Sequence, residues 1–282
     1  EAASYIFFTS GSSGEPKPIL GRAASLSHFI QWEIEEYGLG PGSRISQLAA
    51  PTFDASLRDM FTALCSGGTA CLPPGAAGEL ARESLLNWLE QAQVSLMHTV
   101  PSLFRTLLSA EPTGERLPDL KHVLLAGEPL YGTDVKRWRS VFGDRIELTN
   151  LYGATETTLV KCYHRVGAVD TGQERIPVGR PMPGCKAIVL YEQGRISPRG
   201  QIGGLHLRSP YATYGYYRQP EKTAAGFIVN SLTPDSGEKI YKTGDLARQR
   251  PDGLYEILGR KDDQLKIRGV RVEPGEVENL LL

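Results

Sequence analysis

The segment Thr9-Ser10-Gly11-Ser12-Ser13-Gly14-Glu15-Pro16-Lys17 gathers four hydroxyls, two glycines and a lysine directly after the apolar run at 4–8. Glycine lets a backbone turn sharply enough for several N–H groups to face one oxyanion. The hydroxyls of Thr9, Ser10, Ser12 and Ser13 add donors, and Lys17 adds a positive charge. That chemistry suits a phosphate. The spacing is not that of a Walker A loop, because Gly14 lies three residues before Lys17, and it is not a G-x-S-x-G nucleophile elbow. Taken alone, the segment reads equally well as a flexible Ser/Gly turn.

The elements that must position such a loop follow from the apolar pattern. Residues 4–8, 68–72, 94–97, 122–125 and 146–151 read as buried strands, and 25–36, 57–64, 80–91, 103–108 and 133–141 read as helices. In 25–36, Leu26, Phe29, Ile30 and Ile34 fall on one helical face. This alternation predicts an α/β fold: a mostly parallel sheet flanked by helices, with ligands at the carboxyl ends of its strands. After about Gly172 short β runs at 186–191, 204–208, 239–241 and 254–258 take over, separated by turns such as Ser197-Pro198-Arg199-Gly200 and Pro251-Asp252-Gly253. The expected domains are therefore an α/β subdomain over 1–171 and a β-rich, distorted-barrel subdomain over 172–261.

Composition narrows the function. The 282 residues carry 31 Lys+Arg against 32 Asp+Glu, a net charge of -1, which gives no electrostatic footprint for nucleic acid or an anionic membrane. No apolar run is long enough to span a bilayer. Cys65, Cys71, Cys162 and Cys185 match neither a zinc nor a redox spacing, and the five histidines are scattered. Free thiols in a reducing cytoplasm are the simplest reading. The chain opens at Glu1 with no signal-peptide pattern and reads as an excised piece of something longer.

Six motifs follow in order. The loop at 9–17 resembles the signature loop of the adenylate-forming (ANL) superfamily, which includes acyl-CoA synthetases, luciferases and the adenylation domains of nonribosomal peptide synthetases. Phe53-Asp54-Ala55-Ser56 resembles the F-D-x-S motif of its amino-acid-activating members, and Asn150-Leu151-Tyr152-Gly153-Ala154-Thr155-Glu156-Thr157-Thr158 resembles N-x-Y-G-P-T-E. Residues 203–220 resemble the G-E-L…G-Y…P element, Tyr241-Lys242-Thr243-Gly244-Asp245-Leu246 resembles Y-x-T-G-D, and 259–269 resemble G-R-x-D-x-Q-x-K-I-R-G. Departures include Pro18 after the loop lysine, Ala154 for the usual proline, Gly204 for the usual glutamate, and Ala23 where the family often has histidine.

The resemblance implies ATP-dependent activation of an amino acid carboxylate to an aminoacyl-adenylate, with pyrophosphate released. The product would pass to the phosphopantetheine thiol of a peptidyl carrier protein. It implies that Gly11, Gly14 and the loop hydroxyls hold pyrophosphate with Lys17, that Glu156 binds Mg2+, and that Thr155 hydrogen-bonds the α-phosphate. Tyr152 would stack on adenine beside Gly153, with Gly127 and Glu128 also at the ATP/AMP site. Asp245 would accept both ribose hydroxyls, supported by Arg260. Asp262 matches the hinge of a small C-terminal domain, so 262–282 would begin that domain, and 1–261 would be a fragment of the large N-terminal one. The catalytic lysine of the small domain cannot be assigned. A small activator protein remains an open partner.

The same resemblance implies a pocket lined by Asp54, Ala55, Arg58, His98, Leu124, Ala126, Leu151, Leu159 and Val160. Asp54 would pair with the substrate α-ammonium, or else cap the helix that starts at Ala55. A cationic wall of Arg58 and His98 could receive an acidic side chain, and the neighbouring segments resemble α-aminoadipate reductases. Leu159 stands where that substrate would need a second arginine, which leaves open the alternative that Arg58 points out of a largely aliphatic pocket. Two other functions stay open: the activating domain of a carboxylate or aminoadipate reductase, and a degenerate module that binds adenylate without turnover.

Overall fold

The computed structural model describes residues 2–10, 16–75, 82–191, 194–262, 264–267 and 270–272. They form two compact units, Ser27–Leu151 with Arg165–Ile176, and Glu1–Leu26 with Tyr152–His164 and Pro177–Leu282. In chain order the first half holds β1 (Ala3–Thr9), β2 (Lys17–Arg22), α1 (Ala23–Tyr37), β3 (Arg44–Ser46), α2 (Ala55–Ser66) and β4 (Thr69–Cys71). It continues with α3 (Arg82–Gln91), β5 (Leu96–Thr99), α4 (Pro101–Leu108), β6 (His122–Ala126), α5 (Gly132–Phe142) and β7 (Glu147–Gly153). The second half holds β8 (Val160–Arg165), β9 (Arg180–Pro181), β10 (Lys186–Leu190), β11 (Gly203–Arg208), α6 (Pro220–Gly226), β12 (Phe227–Val229), β13 (Lys239–Gln249) and β14 (Tyr255–Arg260).

The unit built around Ser27–Leu151 is the expected parallel sheet, in the order β4-β3-β5-β6-β7. Strand side chains alternate between faces. Met97, Val123, Leu125 and Leu148 join one core with Leu85, Leu86, Leu89, Phe104, Leu107, Val135 and Trp138 of α3, α4 and α5. Trp138 is fully buried, with ring centroids 4.7 Å from Phe104 and 4.4 Å from Phe142. The opposite face takes α1: the Tyr37 hydroxyl donates to Thr149 Oγ1 at 3.0 Å. Burying each Leu- or Phe-sized side chain contributes roughly 1.5–3 kcal/mol, so these cores hold the strand ends in place. Helix α2 ends where Gly67 turns left-handed at φ 73 and its N–H reaches Leu64 O.

The other unit is antiparallel. Strands run β10-β11-β13-β12, with β14 on β13, around a core of Tyr152, Cys162, Val178, Ala187, Val189, Leu205, Leu207, Ala247 and Tyr255. Asp252-Gly253 makes the expected turn from β13 to β14, with Gly253 at φ 84 and Arg250 N–H donating to Leu254 O at 2.8 Å. This unit also holds β1 and β2. The expectation of a buried strand at 4–8 fails here: among the described residues β1 pairs with β2 alone, antiparallel, and leaves Ile6 42% and Phe8 63% exposed. Residues 1–26 and 152–164 thus group with the β-rich residues rather than with the sheet domain expected over 1–171. Among the described residues no helix is long and apolar enough to cross a membrane.

Candidate active site

In the parallel unit, the connection from β3 runs through α2 to β4 on one side, and the connection from β5 runs through α4 to β6 on the other. The crevice at the carboxyl ends of β3 and β5 is therefore the topological switch point, where open α/β sheets bind ligands. The chain puts Asp54, Ala55 and Arg58 there, on the first turns of α2, and His98 near the end of β5. His98 pairs in register with Leu124, and Ala126 with Leu151. By strand alternation, His98, Leu124, Ala126 and Leu151 share the sheet face opposite the α3–α5 core. Seven of the nine expected pocket residues thus gather in one unit. Leu159 and Val160 belong to the other.

A buried charged cluster fills this corner. His98 Nε2 lies 2.7 Å from Glu33 Oε1 of α1, and Nδ1 lies 3.1 Å from Asp59 Oδ1 of α2, the latter an ion pair off the ideal hydrogen-bond line. Thr62 Oγ1 donates to Glu33 Oε2 at 2.5 Å, and Asp59 Oδ2 accepts from the N–H groups of Leu48 and Ala49 at 3.1 Å. With carboxylates at both nitrogens, the imidazole must carry both protons. Burial and the Arg58 charge oppose that charged form, but Glu33 and Asp59 outweigh them and raise the His98 pKa above its ordinary 6.5. Burial likewise favours neutral Asp59, yet His98, Arg58 and the Ala49 N–H hold its pKa below 3.8. The cationic wall expected of Arg58 with His98 is thereby reduced to Arg58, since His98 is neutralised by its own unit.

Asp54 occupies the N-cap position of α2 but makes no capping hydrogen bond, so the capping alternative for its carboxylate is not realised. Gly127, at φ 91, follows β6 directly. Glu128 accepts from Ser102 N–H at 2.7 Å and Ser102 Oγ at 3.0 Å, which caps α4 behind Pro101. Its carboxylate therefore serves the helix, whatever it also contributes to a nucleotide.

The antiparallel unit holds the second group. Asp245 and Arg260 are register partners of β13 and β14, and Arg260 Nη1 donates to Asp245 Oδ1 at 2.8 Å. The Tyr152 hydroxyl donates to Asp245 Oδ2. Burial and the neighbouring Asp245 hold the Tyr152 pKa well above its ordinary value, so the phenol stays a donor. Arg260 also grips Asp262, Nε to Oδ1 at 2.6 Å and Nη2 to Oδ2 at 2.8 Å. Gly244, at φ 80, lies so close that a Cβ would sit 2.6 Å from Arg260 Nη2. The structure brings together Asp245 and Arg260, both expected at the ribose, with Tyr152, expected on adenine, tied to the acid through its hydroxyl and Asp262, expected as a hinge, held by Arg260.

Glu156 is fully buried on the 3₁₀ turn Thr155–Thr157. Tyr216 OH donates to its Oε1 at 2.9 Å, and Thr213 Oγ1 donates to its carbonyl at 2.6 Å. The next residues, Thr158 and Leu159, are left-handed at φ 64 and 55, a conformation that costs non-glycine residues energy and often marks functional turns. Lys161, fully buried, donates from Nζ to Thr158 O at 2.7 Å and Val160 O at 3.0 Å and so holds that turn. Sequence reasoning missed Lys161, Thr213 and Tyr216. A lysine inside an otherwise apolar run, 159–162, was the available signal.

Gly153 makes this turn possible: a Cβ there would fall 1.8 Å from Leu159 O and 2.7 Å from Val160 Cα, both backbone atoms that cannot swing away. Gly153→Ala is expected to destabilise the protein by about 3 kcal/mol or more. Gly259→Ala, at a position with nothing within 4 Å of the added carbon, is the control and should shift stability by no more than ~1 kcal/mol. Urea denaturation of both variants checks this.

Of the loop, Thr9, Ser10, Pro16 and Lys17 are described: Thr9 ends β1, Ser10 follows it, and Lys17 opens β2 as the register partner of Thr9. Gly11, Ser12, Ser13 and Gly14 lie outside the described residues, as does most of 262–282.

One unit is a parallel sheet with a buried charged cluster at its switch point, and the other carries an Asp/Arg/Tyr group and a buried glutamate, making an α/β protein of two units. The family model of the AMP-binding enzymes matches residues 1–217, and the chain belongs to that family. It is 34% identical over 278 residues to tyrocidine synthase 3 of Brevibacillus parabrevis, covering 99% of this chain and 4% of that protein. It resembles the Vibrio cholerae adenylation domain AlmE in complex with glycyl-adenosine-5'-phosphate at 30% identity and a TM-score of 0.87, covering 99% of this chain and 52% of that one. A holo NRPS protein containing adenylation and PCP domains, bound to a vinylsulfonamide inhibitor, matches at 27% identity and a TM-score of 0.86, with coverage of 99% and 48%. The chain therefore spans about half the length of these solved relatives.

Proposed function

We propose that the chain activates an amino acid with ATP and delivers it to a carrier protein. In the first step a substrate carboxylate oxygen attacks the α-phosphorus, the bond to the β-phosphate oxygen breaks, and pyrophosphate leaves with its electron pair. In the second, a phosphopantetheine thiol attacks the acyl carbon, AMP departs, and the thiol proton is released. Both reactants of the first step are anions, so the protein must orient them and neutralise charge.

The observation that carries the reading is Asp245. Each of its carboxylate oxygens takes one protein donor, Tyr152 or Arg260, and each retains a lone pair, which fits two vicinal ribose hydroxyls. Tyr152 and Arg260 fix the rotamer, so little ordering is left for binding. Glu156, buried and oriented by Tyr216, is a hard oxygen donor suited to Mg2+, which takes one or two carboxylates together with phosphate oxygens. Bound there, the ion would supply charge neutralisation at the phosphates. Lys17 and Thr155 would donate to phosphate oxygens, and Asp54 would hold the substrate ammonium. The glycyl-adenylate in AlmE and the carrier domain in the holo NRPS protein support the same two steps.

The test is amino-acid-dependent ATP–pyrophosphate exchange by the natural polypeptide that carries these residues, followed by loading of a holo carrier protein. Exchange that depends on one amino acid, with thioester formed, is the expected outcome. ATP binding with no exchange for any amino or other carboxylic acid would reduce the chain to a nucleotide-binding module.

A further inference from the structure

Tyr5 lies on β1 opposite Gly21 of β2. A Cβ on Gly21 would fall 1.9 Å from Cε2 and Cζ of Tyr5, so the ring occupies the space that any side chain there would take. From that seat its hydroxyl reaches Thr158 Oγ1 at 2.9 Å. Thr158 is 1% exposed, stands two residues beyond Glu156 and is left-handed at φ 64. A β-branched residue keeps that conformation only where its surroundings hold it. Lys161 Nζ holds the Thr158 carbonyl at 2.7 Å, and Tyr5 holds the side chain.

A second connection runs through β2. Leu20 N–H donates to Gly215 O at 2.9 Å, Tyr214 N–H to Leu20 O at 2.9 Å, and Tyr217 N–H to Pro18 O at 2.7 Å. Residues 214–217 therefore lie along β2, antiparallel at the bridge between Ile19 and Tyr216. Pro18, its φ fixed by the ring, stiffens β2 directly after Lys17. Tyr216 donates its hydroxyl to Glu156 Oε1, and Thr213, just before this segment, donates its own to the Glu156 carbonyl. Lys17 and Glu156 thus share one frame. Lys17 opens β2, β2 carries 214–217, that segment orients Glu156, and Tyr5 closes the circuit by bonding the turn after Glu156 back to the hairpin.

We infer that Tyr5 is a positioning residue for the nucleotide step: by holding Thr158 to the β1–β2 hairpin it fixes Glu156 relative to Lys17, and with it the fit of a divalent cation bound together with ATP phosphates. This rests on the adenylation reading above and adds a residue to it. The ring alone fills the place beside Gly21, so the hydroxyl can be removed without disturbing that packing.

Mn2+ binding to the natural polypeptide in the presence of α,β-methylene-ATP, followed by electron paramagnetic resonance, measures that fit without turnover. Tyr5→Phe should weaken Mn2+ by about 5- to 10-fold, the scale of one hydrogen bond. It should raise the Mg2+ concentration for half-maximal exchange by the same factor, with KM for the amino acid unchanged. Thr158→Val removes the other half of the same bond and should match it, and the double variant should be no worse than either. Gly21→Ala drives the ring aside and should reproduce the shift. A metal dependence unchanged in Tyr5→Phe, effects that add in the double variant, or an equal rise in KM for the amino acid overturns the inference and leaves the adenylation reading standing. If the wild type supports exchange with no amino acid and holds Mn2+ no better with the nucleotide than without it, that reading falls and the role of Tyr5 falls with it.

Discussion

Asp59→Asn is expected to cost about 3–5 kcal/mol of folding stability, the range found when one partner is removed from a buried charged network. Asn can still accept from the N–H groups of Leu48 and Ala49, as Asp59 Oδ2 does now. Its amide would then turn donors towards His98 Nδ1 and Arg58 Nε, which are donors themselves. The pH dependence identifies the cause. Because the His98 pKa is raised on folding, its contribution is complete below its ordinary 6.5 and is lost as pH rises through the folded value. Because the Asp59 pKa is lowered, its contribution is complete above its ordinary 3.8 and is lost as pH falls through the folded value. Wild-type stability from this cluster is therefore greatest between about pH 4 and 6.5. In Asp59→Asn the acid limb should vanish, and the alkaline limb should move to lower pH because His98 loses a carboxylate. Urea denaturation across pH 4 to 9 measures both, and an unchanged profile would show that the cluster does not hold α1, α2 and β5 together.

That cluster also shows where sequence reasoning reached its limit. The amphipathic pattern at 57–64 located α2, but the buried residues of that helix are Ser56, Arg58, Asp59, Thr62 and Ala63, while Met60 and Leu64 lie exposed. A buried face built from ion pairs has no apolar period to detect. Glu33 was missed as well: the face read from the sequence ran through Leu26, Phe29, Ile30 and Ile34, whereas Glu33 is fully buried with Phe29, Ile30 and Tyr37. Strands of ordinary length and apolar content, β6 and β7 above all, stood out, whereas Arg44–Ser46 is three residues long and Val160–Arg165 hides behind Lys161, Tyr163, His164 and Arg165. The residues placed at the nucleotide stood out for a different reason. Hydroxyls, glycines and a lysine marked the loop at 9–17 as suited to phosphate, whereas Asp245 and Arg260 were reached through the resemblance of their motifs to a known family, and the two came out as direct partners. The supporting residues, Tyr216, Thr213 and Lys161, carry no such pattern, because holding a carboxylate or a turn in place asks only for one donor at the right point.

The second large effect concerns Asp245. Asp245→Ala should lower kcat/KM for ATP in the exchange reaction by about 100- to 1,000-fold, the equivalent of losing two hydrogen bonds to a charged acceptor at about 1.5–3 kcal/mol each, partly offset by water. It should also destabilise the fold, since Tyr152 OH and Arg260 Nη1 both lose their acceptor. Two further variants separate these effects. Tyr152→Phe removes one donor and leaves the carboxylate, so stability should fall by about 1–3 kcal/mol while kcat/KM changes by less than about 10-fold. Asp245→Asn keeps the shape and one acceptor, and should retain more stability than Asp245→Ala while still losing most ATP affinity, because the amide nitrogen cannot accept from a ribose hydroxyl. Replacing ATP with its 2'-deoxy form supplies the substrate-side control: wild type should lose affinity, and Asp245→Ala should be nearly indifferent to the missing hydroxyl. If Asp245→Ala instead discriminates between the two nucleotides as strongly as wild type, the acid does not hold the ribose, and its bonds to Tyr152 and Arg260 serve only to join the end of β7 to β13 and β14.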